Sequence, residues 1–305
     1  MTELQKYLAE EVAEDHADGI ITRREAVRRL GLLGVSGATA TTLLAGFANA
    51  PAAAATRVPR HRRRGSETDW APVATTPITF AGPRGTLMAA WAPAERARGG
   101  VLVIHENRGL NAHIATVAGR FAASGYSALA LDLLSEEGGT GSFPGEAEVA
   151  AALGAVPPQR FDQDMKAAVT ELSRRVRREK LAAIGFCFGG GMVWRLLAAG
   201  ESRLAAAAPF YGPFPAGGNL TRARAAVLGV YGGLDARVNA SIPAARAALE
   251  AARLKHELLT FTLADHAFFN DTGARFNPHA ATEAWRRTLN WFDDADDGHR
   301  DRDDD

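Results

Sequence analysis

Short apolar runs alternate with amphipathic stretches along most of this chain. The apolar runs predict strands at residues 77–80, 87–91, 101–104, 127–131, 181–186, 205–211, 225–231 and 257–263. The amphipathic stretches repeat apolar residues at helical spacing and predict helices at 114–124, 161–175, 189–199, 243–252 and 282–291. Because apolar strands that alternate with helices are typical of a parallel sheet buried on both faces, we predict an α/β fold with a mainly parallel central sheet and helices on both faces.

The alternating pattern occupies residues 77–292, a length that suits a single domain with a large core. Within it, the Gly- and Glu-rich residues 135–154 follow a predicted strand and are expected to form a mobile loop over the functional site. Residues 56–76 are predicted to be a linker with a solvated basic run at 60–64. Residues 293–305 are predicted to be an acidic, frayed tail.

Residues 1–55 are expected to lie outside the fold and to direct export. Residues 22–28 (TRREAVR) approximate a twin-arginine signal, with Ala26 where phenylalanine is usual. The moderately apolar run at 30–47 contains glycines, a serine and threonines, which make it a poor membrane anchor. Small residues predict cleavage after Ala55 rather than after Ala50, which precedes a proline. We therefore expect the twin-arginine machinery to export the protein to the periplasm or the exterior.

A second interpretation of the same segment stays open. Residues 4–20 are compatible with an ordinary amphipathic helix that has Leu4, Tyr7, Leu8 and Val12 on one face, followed by an Ala-rich linker. In that case the segment would not be an export signal.

The charge balance bears on the choice of partner. The chain has 35 basic and 35 acidic residues. Residues 1–55 contain five basic and seven acidic side chains, so the remainder is formally +2. The basic run at 60–64 lacks aromatic residues between its charges, and neither feature favours a nucleic-acid partner.

The single cysteine of the chain lies in the pentapeptide Gly185-Phe186-Cys187-Phe188-Gly189. A strand-like run at 181–184 precedes it and a helix-like run at 190–197 follows it. This arrangement predicts the nucleophile elbow of α/β-hydrolases, with cysteine in place of the usual serine. The flanking glycines suit a strained turn in which a Cβ would clash, and the start of the following helix favours the thiolate. By itself, the motif is also compatible with an inert buried cysteine.

Candidate partners follow Cys187 in the order nucleophile, acid, histidine that α/β-hydrolases use. Asp235 follows the predicted strand at 225–231, and His266 follows the one at 257–263. Side chains at the carboxyl ends of parallel strands meet at one edge of a sheet. Asp265 is a rival acid, but a residue next to the histidine rarely folds back to orient its ring. If these residues are not catalytic, Asp235 is a turn or helix-cap residue and His266 is a surface histidine.

The chain resembles the dienelactone hydrolase family of the α/β-hydrolase superfamily over residues 77–292. The resemblance rests on VIHENRGLN at 103–111, GFCFGG at 185–190, YGGLD at 231–235 and DHAF at 265–268. It implies the α/β-hydrolase fold, hydrolysis of carboxylic esters or lactones like that of a carboxymethylenebutenolidase, and a Cys187–His266–Asp235 triad without a metal or an organic cofactor. It also implies that Glu106 contacts the resting cysteine and controls its ionisation, since a permanently bare thiolate would oxidise. The alternative for Glu106 is an exposed loop carboxylate.

Two backbone N–H groups are expected to stabilise the oxyanion. One belongs to Phe188, directly after the nucleophile, and the other to Asn107, in the loop after the strand at 101–104. In the expected reaction Cys187 attacks the carbonyl, forming an acyl-cysteine. His266 then protonates the leaving alkoxide and activates water, while Asp235 orients the imidazole.

One departure from the family pattern concerns the substrate. The best-known dienelactone hydrolases carry an arginine four residues past the histidine, where it binds the substrate carboxylate; here that residue is Asn270. Arg108 or Arg275 are possible substitutes. An asparagine offers only neutral hydrogen bonds, so we predict a preference for small neutral esters or lactones in an apolar pocket. The residues expected to make the pocket apolar are Phe210, Tyr211, Phe214, Phe268 and Phe269.

A different functional class stays open beside the hydrolase. An exported lone thiol could make the protein a redox-active or non-catalytic binding module that pairs with a partner cysteine. Such a thiol needs no acid-oriented histidine, so the ordered set of Cys187, Asp235 and His266 favours the hydrolase. A chain with one cysteine forms no internal disulfide, and catalysis accounts for that cysteine.

Overall fold

The computed structural model describes residues 1–48, 71–177 and 179–297. Both considered cleavage positions, Ala50 and Ala55, lie outside the described residues, as do the basic run at 60–64 and residues 298–305 of the predicted tail. The described start of that tail, residues 293–297, belongs to the last helix rather than to a frayed end.

A mixed, mainly parallel sheet forms the centre of the molecule. Its strands are β1 (Thr76–Gly82), β2 (Gly85–Ala92), β3 (Gly100–Ile104), β4 (Ser127–Leu131), β5 (Leu181–Phe186), β6 (Leu204–Phe210), β7 (Ala226–Gly232) and β8 (His256–Phe261). They lie in the order β1-β2-β4-β3-β5-β6-β7-β8. The pairs β1–β2 and β2–β4 are antiparallel and the others parallel. The predicted α/β fold is confirmed.

Helices cover the sheet, and the three central strands β3, β4 and β5 are buried at every residue. The helices of the domain are α4 (Ala112–Ala123), α5 (Glu146–Ala155), α6 (Pro158–Val176), α7 (Phe188–Ala198), α8 (Ala236–Asn239), α9 (Ile242–Ala251) and α10 (Pro278–Asp297), and three more, α1 (Glu3–Ala17), α2 (Arg23–Leu32) and α3 (Gly37–Ala48), precede β1. Helix α6 illustrates why these segments are helical. It begins at Pro158, whose fixed φ suits a first turn, and buries Phe161, Met165, Ala168 and Leu172 at helical spacing.

Residues 1–48 pack against the domain, so the expectation that this segment lies outside the fold is wrong for its described part. Helix α1 begins with a capping box between Thr2 and Gln5. It buries Leu8 and Val12, which are 1% and 7% exposed, in the same core cluster as the sheet. The amphipathic helix considered at 4–20 is thus present. In the part of the chain that the structure describes, no helix combines the length and apolar character needed to cross a membrane.

Residues 135–154 are more regular than the predicted mobile loop. Two short 3-10 turns lead into α5, which buries Ala147, Val149 and Leu153. Asp132 fixes the turns, since its carboxylate accepts hydrogen bonds from the backbone N–H groups of Leu134 at 3.0 Å and Thr140 at 2.7 Å. The apolar residues of this stretch therefore form a helix on the domain instead of an open loop.

Candidate active site

The predicted elbow at Cys187 is a sharp turn between β5 and α7. β5 ends at Phe186 and α7 begins at Phe188. Cys187 has φ 56° and ψ −119°, a conformation that residues with side chains rarely adopt. The flanks have no room for side chains, because a Cβ on Gly185 would lie 2.1 Å from the carbonyl oxygen of Gly189. Close packing of the strand on the helix therefore holds the strained turn in place.

Asp235 and His266 meet Cys187 at the carboxyl edge of the sheet. Asp235 follows β7 and His266 follows β8, and these parallel strands are neighbours. The Nδ1 atom of His266 lies 2.6 Å from Oδ2 of Asp235, while Oδ1 of Asp235 accepts a hydrogen bond from the backbone N–H of Val238 at 3.0 Å. All three predicted triad residues are 2% exposed or less. The start of α8 thus fixes the carboxylate, and the carboxylate orients the imidazole.

Asp265, the rival acid, does not bind the imidazole. Its Oδ1 accepts a hydrogen bond from the backbone N–H of His266 at 2.7 Å, and its Oδ2 lies 3.7 Å from Nε of Arg275. Asp265 therefore shapes the loop, and the carboxylate on the ring is that of Asp235.

The histidine ring is held as an imidazolium. Burial lowers the pKa of His266, but the charges and hydrogen bonds of Asp235 and Cys187 together outweigh burial, so the pKa lies well above its usual range. Burial raises the pKa of Asp235, but the charge and hydrogen bond of His266 outweigh it and the net shift is downwards. The two residues thus form a buried ion pair.

Two residues of α1, which the sequence did not place in the site, contact the nucleophile. The thiol of Cys187 donates a hydrogen bond to Oε1 of Glu11 at 3.0 Å, and Oη of Tyr7 lies 3.4 Å from the same sulfur. Oε1 of Glu11 is also 3.6 Å from Nε2 of His266. The sequence contained one signal for the position of Glu11. It lies three residues after Leu8, and this spacing places it on the apolar face of the helix.

Burial and Glu11 together keep the thiol protonated. Burial raises the pKa of Cys187, the charge of Glu11 raises it further, and the result is about 11 although His266 acts in the opposite direction. Burial also raises the pKa of Glu11, but the hydrogen bond and charge of His266 lower it to about 2. Near neutral pH the site therefore holds a carboxylate at Glu11, an imidazolium and a neutral thiol.

We expect Glu11→Gln to make Cys187 more reactive. The amide keeps an acceptor oxygen but removes the negative charge that raises the thiol pKa, so the pKa falls and more thiolate is present at a given pH. Below the midpoint, the thiolate fraction rises about tenfold for each unit by which the pKa falls. The pH profile of iodoacetamide alkylation of Cys187 measures this shift.

Glu10→Gln is the matched control for this profile. It makes the same chemical change one residue earlier, on the side of α1 where Glu10 faces the exposed Lys6. Its profile should coincide with that of the native chain. A Glu11→Gln profile that stays in place, or moves to higher pH, would contradict the assignment of Glu11 as the charge that suppresses ionisation.

Glu106 does not hydrogen bond to Cys187, although the resemblance implied this contact. Its Oε2 accepts a hydrogen bond from Nδ2 of Asn270 at 2.7 Å, and its Oε1 is buried without a hydrogen-bond partner among the described residues. Burial raises the pKa of Glu106 despite nearby positive charges. The thiol donates its hydrogen bond to Glu11 instead, because α1 brings a second carboxylate within reach of the sulfur.

Both predicted oxyanion donors lie beside the nucleophile. Phe188 is the first residue of α7, so its backbone N–H has no acceptor within the helix. Asn107 follows β3 and lines the same cavity as Cys187 and His266. Phe188 itself lines the neighbouring cavity. A thiol, an oriented imidazole and a helix-start N–H next to the nucleophile are components of acyl transfer.

The predicted substrate-binding residues differ in their surroundings. Arg108 and Asn270 line the cavity, but Arg108 pairs with Glu146 at 3.5 Å and the amide of Asn270 binds Glu106. Phe268 is fully buried and packs on other aromatic rings rather than on the cavity. The cavity at Cys187 is therefore lined by charged side chains together with aliphatic ones such as Leu8 and Val12, and not by the predicted aromatic residues. The other aromatic residues expected there also belong to the buried core: Phe210, Tyr211, Phe214 and Phe269.

The same site has the ligand types for a metal ion. Glu11, Cys187 and His266 each offer one ligand atom, and these atoms lie within 4.8 Å of one another. Sulfur, nitrogen and oxygen ligands at this spacing suit zinc. However, these are the groups that acyl transfer would use, and the raised pKa of the thiol opposes the deprotonation that metal binding requires.

Known proteins resemble this chain over the domain that carries the site. The dienelactone hydrolase family matches residues 87–295. A "Putative carboxymethylenebutenolidase" of Salmonella typhimurium is 32% identical over 232 residues, which cover 70% of this chain and 86% of that protein. One of Escherichia coli O157:H7 is 33% identical over 205 residues, covering 63% and 75%. The crystal structure of a "Putative Dienelactone Hydrolase" from Klebsiella pneumoniae subsp. pneumoniae has a TM-score of 0.62 at 26% identity, covering 72% of this chain and 97% of that one. The chain belongs to the dienelactone hydrolase family and is a hydrolase with the α/β-hydrolase fold.

Proposed function

We propose that this protein hydrolyses carboxylic esters or lactones through an acyl-cysteine intermediate. The observation that carries the proposal is the placement of Cys187 at the apex of a strained elbow, with His266 beside it and oriented at 2.6 Å by the buried Asp235. Membership of a hydrolase family supports the reaction class. The nucleophile and the individual steps are inferred from the geometry.

The reaction begins once the neutral thiol of Cys187 has released its proton to water, which leaves a thiolate beside the imidazolium of His266. The sulfur attacks the carbonyl carbon, and the carbonyl electrons move to an oxygen bound by the N–H groups of Phe188 and Asn107. The C–O bond then breaks, and Nε2 of His266 gives its proton to the leaving alkoxide. The neutral imidazole next takes a proton from water, whose oxygen displaces the thiolate from the thioester. One water is consumed, and the acid, the alcohol and the starting thiolate–imidazolium pair result.

Glu106 is proposed to restrain ionisation of the nucleophile at a distance. Its charge contributes to the raised pKa of Cys187, after burial and Glu11. This would limit the exposure of a bare thiolate to oxidation.

Small neutral esters or lactones are the proposed substrates. Two arginines beside the cavity are paired within the domain itself, since Arg108 lies 3.5 Å from Glu146 and Arg275 lies 3.7 Å from Asp265. Asn270 is held by Glu106 and does not replace the missing arginine. A substrate carboxylate would therefore have to break an existing ion pair to be bound.

Trapping the intermediate tests the proposed function. We expect the full chain, mixed briefly with p-nitrophenyl acetate and quenched in acid, to gain the mass of one acetyl group located on Cys187. Cys187→Ser keeps a similar shape but offers a poorer nucleophile at a site tuned for a thiolate, and should show no thioester. Ester turnover without an adduct on Cys187 would refute the mechanism.

The redox alternative is less well supported by the surroundings of the thiol. Cys187 is 2% exposed and lies under Glu11 and Tyr7, so a partner cysteine has no direct access to it. An intermolecular disulfide as the main isolated form, without an acyl adduct, would favour that alternative.

Export by the twin-arginine route stays a proposal beside the enzymatic one. Arg23 and Arg24 are exposed at the start of α2, where export machinery could recognise them. N-terminal sequencing tests it: a product outside the cytoplasm that begins near Thr56 supports export, and a full-length cytoplasmic product refutes it.

A further inference from the structure

We propose that α1 is an intramolecular plug of the active site, and that Glu11 and Tyr7 occupy the space that a substrate must enter. Catalysis would then require α1 to swing away or to be removed. The inference rests on the proposed hydrolysis and describes the regulation of that same site.

The first support is the position of the Glu11 carboxylate. Its Oε1 lies 3.0 Å from the sulfur of Cys187 and 3.6 Å from Nε2 of His266. A carbonyl under attack must lie within about 3.5 Å of the sulfur and close to the imidazole that protonates its leaving group. A carboxylate is also the product of ester hydrolysis. Glu11 therefore occupies the acyl position in the way that a bound product would.

The second support is the shape of the space around α1. On one side, a cavity of about 60 Å³ lies between Glu11, Cys187 and His266 and has room for only a few water molecules. On the other side, a cavity of about 320 Å³ lies between Tyr7 and Phe188. Pockets for small molecules usually measure about 300 Å³ or more. Cys187 lines only the smaller cavity, so with α1 in place neither cavity gives a substrate room at the sulfur.

The third support is the way α1 is attached. Its apolar face buries Leu8 and Val12, and its acidic residues pair with two arginines of the domain. Glu14 lies 3.0 Å from Arg237, and Arg275 binds Asp15 at 2.8 Å and Asp18 at 3.0 Å. All of α1 lies before residue 87, where the family match begins. The plug is therefore formed by a segment outside the matched hydrolase region.

The protonation of the docked site agrees with an inactive state. With α1 in place, burial and then Glu11 raise the pKa of Cys187, so the nucleophile is a neutral thiol. Departure of α1 would remove that carboxylate and admit water to the sulfur, which favours the thiolate beside the imidazolium.

The test weakens the docking of α1 in the full chain by two unrelated routes. Asp15→Ala/Asp18→Ala removes the ion pairs with Arg275 and two negative charges. Leu8→Asp places a charge where the side chain is 1% exposed, and so adds a negative charge. Lys6→Ala is the control, because Lys6 is exposed on the same helix and faces only Glu10 among the ion pairs of the described chain.

Two rates are measured for each variant: alkylation of Cys187 by neutral iodoacetamide and turnover of p-nitrophenyl acetate. Both reagents are neutral, so the loss of two negative charges beside Arg275 does not attract them. Since Cys187 is the only cysteine in the sequence, alkylation reports on it alone. We expect both rates to rise about tenfold in both variants, and to stay unchanged in Lys6→Ala. The opposite charge changes of the two variants exclude a purely electrostatic cause.

The outcomes separate the plug from the hydrolase. Faster alkylation without any ester turnover would support the plug and refute the proposed function. Unchanged alkylation in both variants would overturn the plug. A fall in turnover would overturn it as well, because it would show that α1 forms part of the active site during catalysis.

Discussion

Cys187→Ala and His266→Ala are each expected to lower the rate of p-nitrophenyl acetate hydrolysis by on the order of 10⁴-fold. Alanine at 187 removes the atom that forms the acyl intermediate. Alanine at 266 removes both the acid for the leaving alkoxide and the base for water. Each loss leaves only the contribution of the oxyanion donors and of substrate binding.

Because the two residues act in one sequence of steps, the double variant should be no slower than either single variant. The rates are measured in the native chain and in the Asp15→Ala/Asp18→Ala background. The higher starting rate expected in that background allows a larger fall in rate to be measured. Cys187→Ser should fold and be strongly impaired, which separates loss of the nucleophile from loss of structure. Full activity in either alanine variant would exclude the proposed triad mechanism.

Gly189→Ala is expected to lower the free energy of unfolding by about 3 kcal/mol. A Cβ at this position would lie 2.4 Å from the carbonyl oxygen of Ile104 and 2.5 Å from that of His105. These are backbone atoms at the end of a fully buried strand, so they cannot turn aside as a flexible side chain would. For a domain of this size, the loss corresponds to a fall of roughly 10 °C in the Tm, measurable by calorimetry.

Gly191→Ala is the matched control on the same helix. A Cβ there meets only Pro213, at an ordinary 3.5 Å. Because alanine favours helix over glycine by up to about 1 kcal/mol, this variant should melt at the native temperature or slightly above it. Equal melting of the two variants would show that the elbow is not held by the close approach of α7 to β3.

The elements of the domain could be predicted because each is encoded locally. The eight apolar runs are strands and the five amphipathic stretches are helices in the structure, since period and length distinguish a buried strand from a surface helix. The elbow was predictable for a similar reason: glycines on both sides of Cys187 meet the local steric demand of a strand–turn–helix junction.

The residues around the sulfur were less predictable because they come from distant parts of the chain. Asp235 and His266 each follow a parallel strand, and the order of these strands in the sequence was enough to predict that both residues lie at the same edge of the sheet. Glu11 is 176 residues from Cys187, and no local pattern indicates which surface the face of α1 will cover. Likewise, the Gly- and Glu-rich start of residues 135–154 suggested a loop. At the end of this stretch, however, Ala147, Val149 and Leu153 are buried on one helix.

The sequence by itself determined the α/β fold, the strained elbow at Cys187 and the order in which Asp235 and His266 follow it, because these depend on local periodicity, glycine positions and strand succession. Only the tertiary structure decided that residues 1–48 pack on the domain, and that the thiol donates its hydrogen bond to Glu11 instead of Glu106. The physical reason is that burial of an apolar helix face and pairing of its acids with Arg237 and Arg275 depend on a surface that exists only after the sheet has formed.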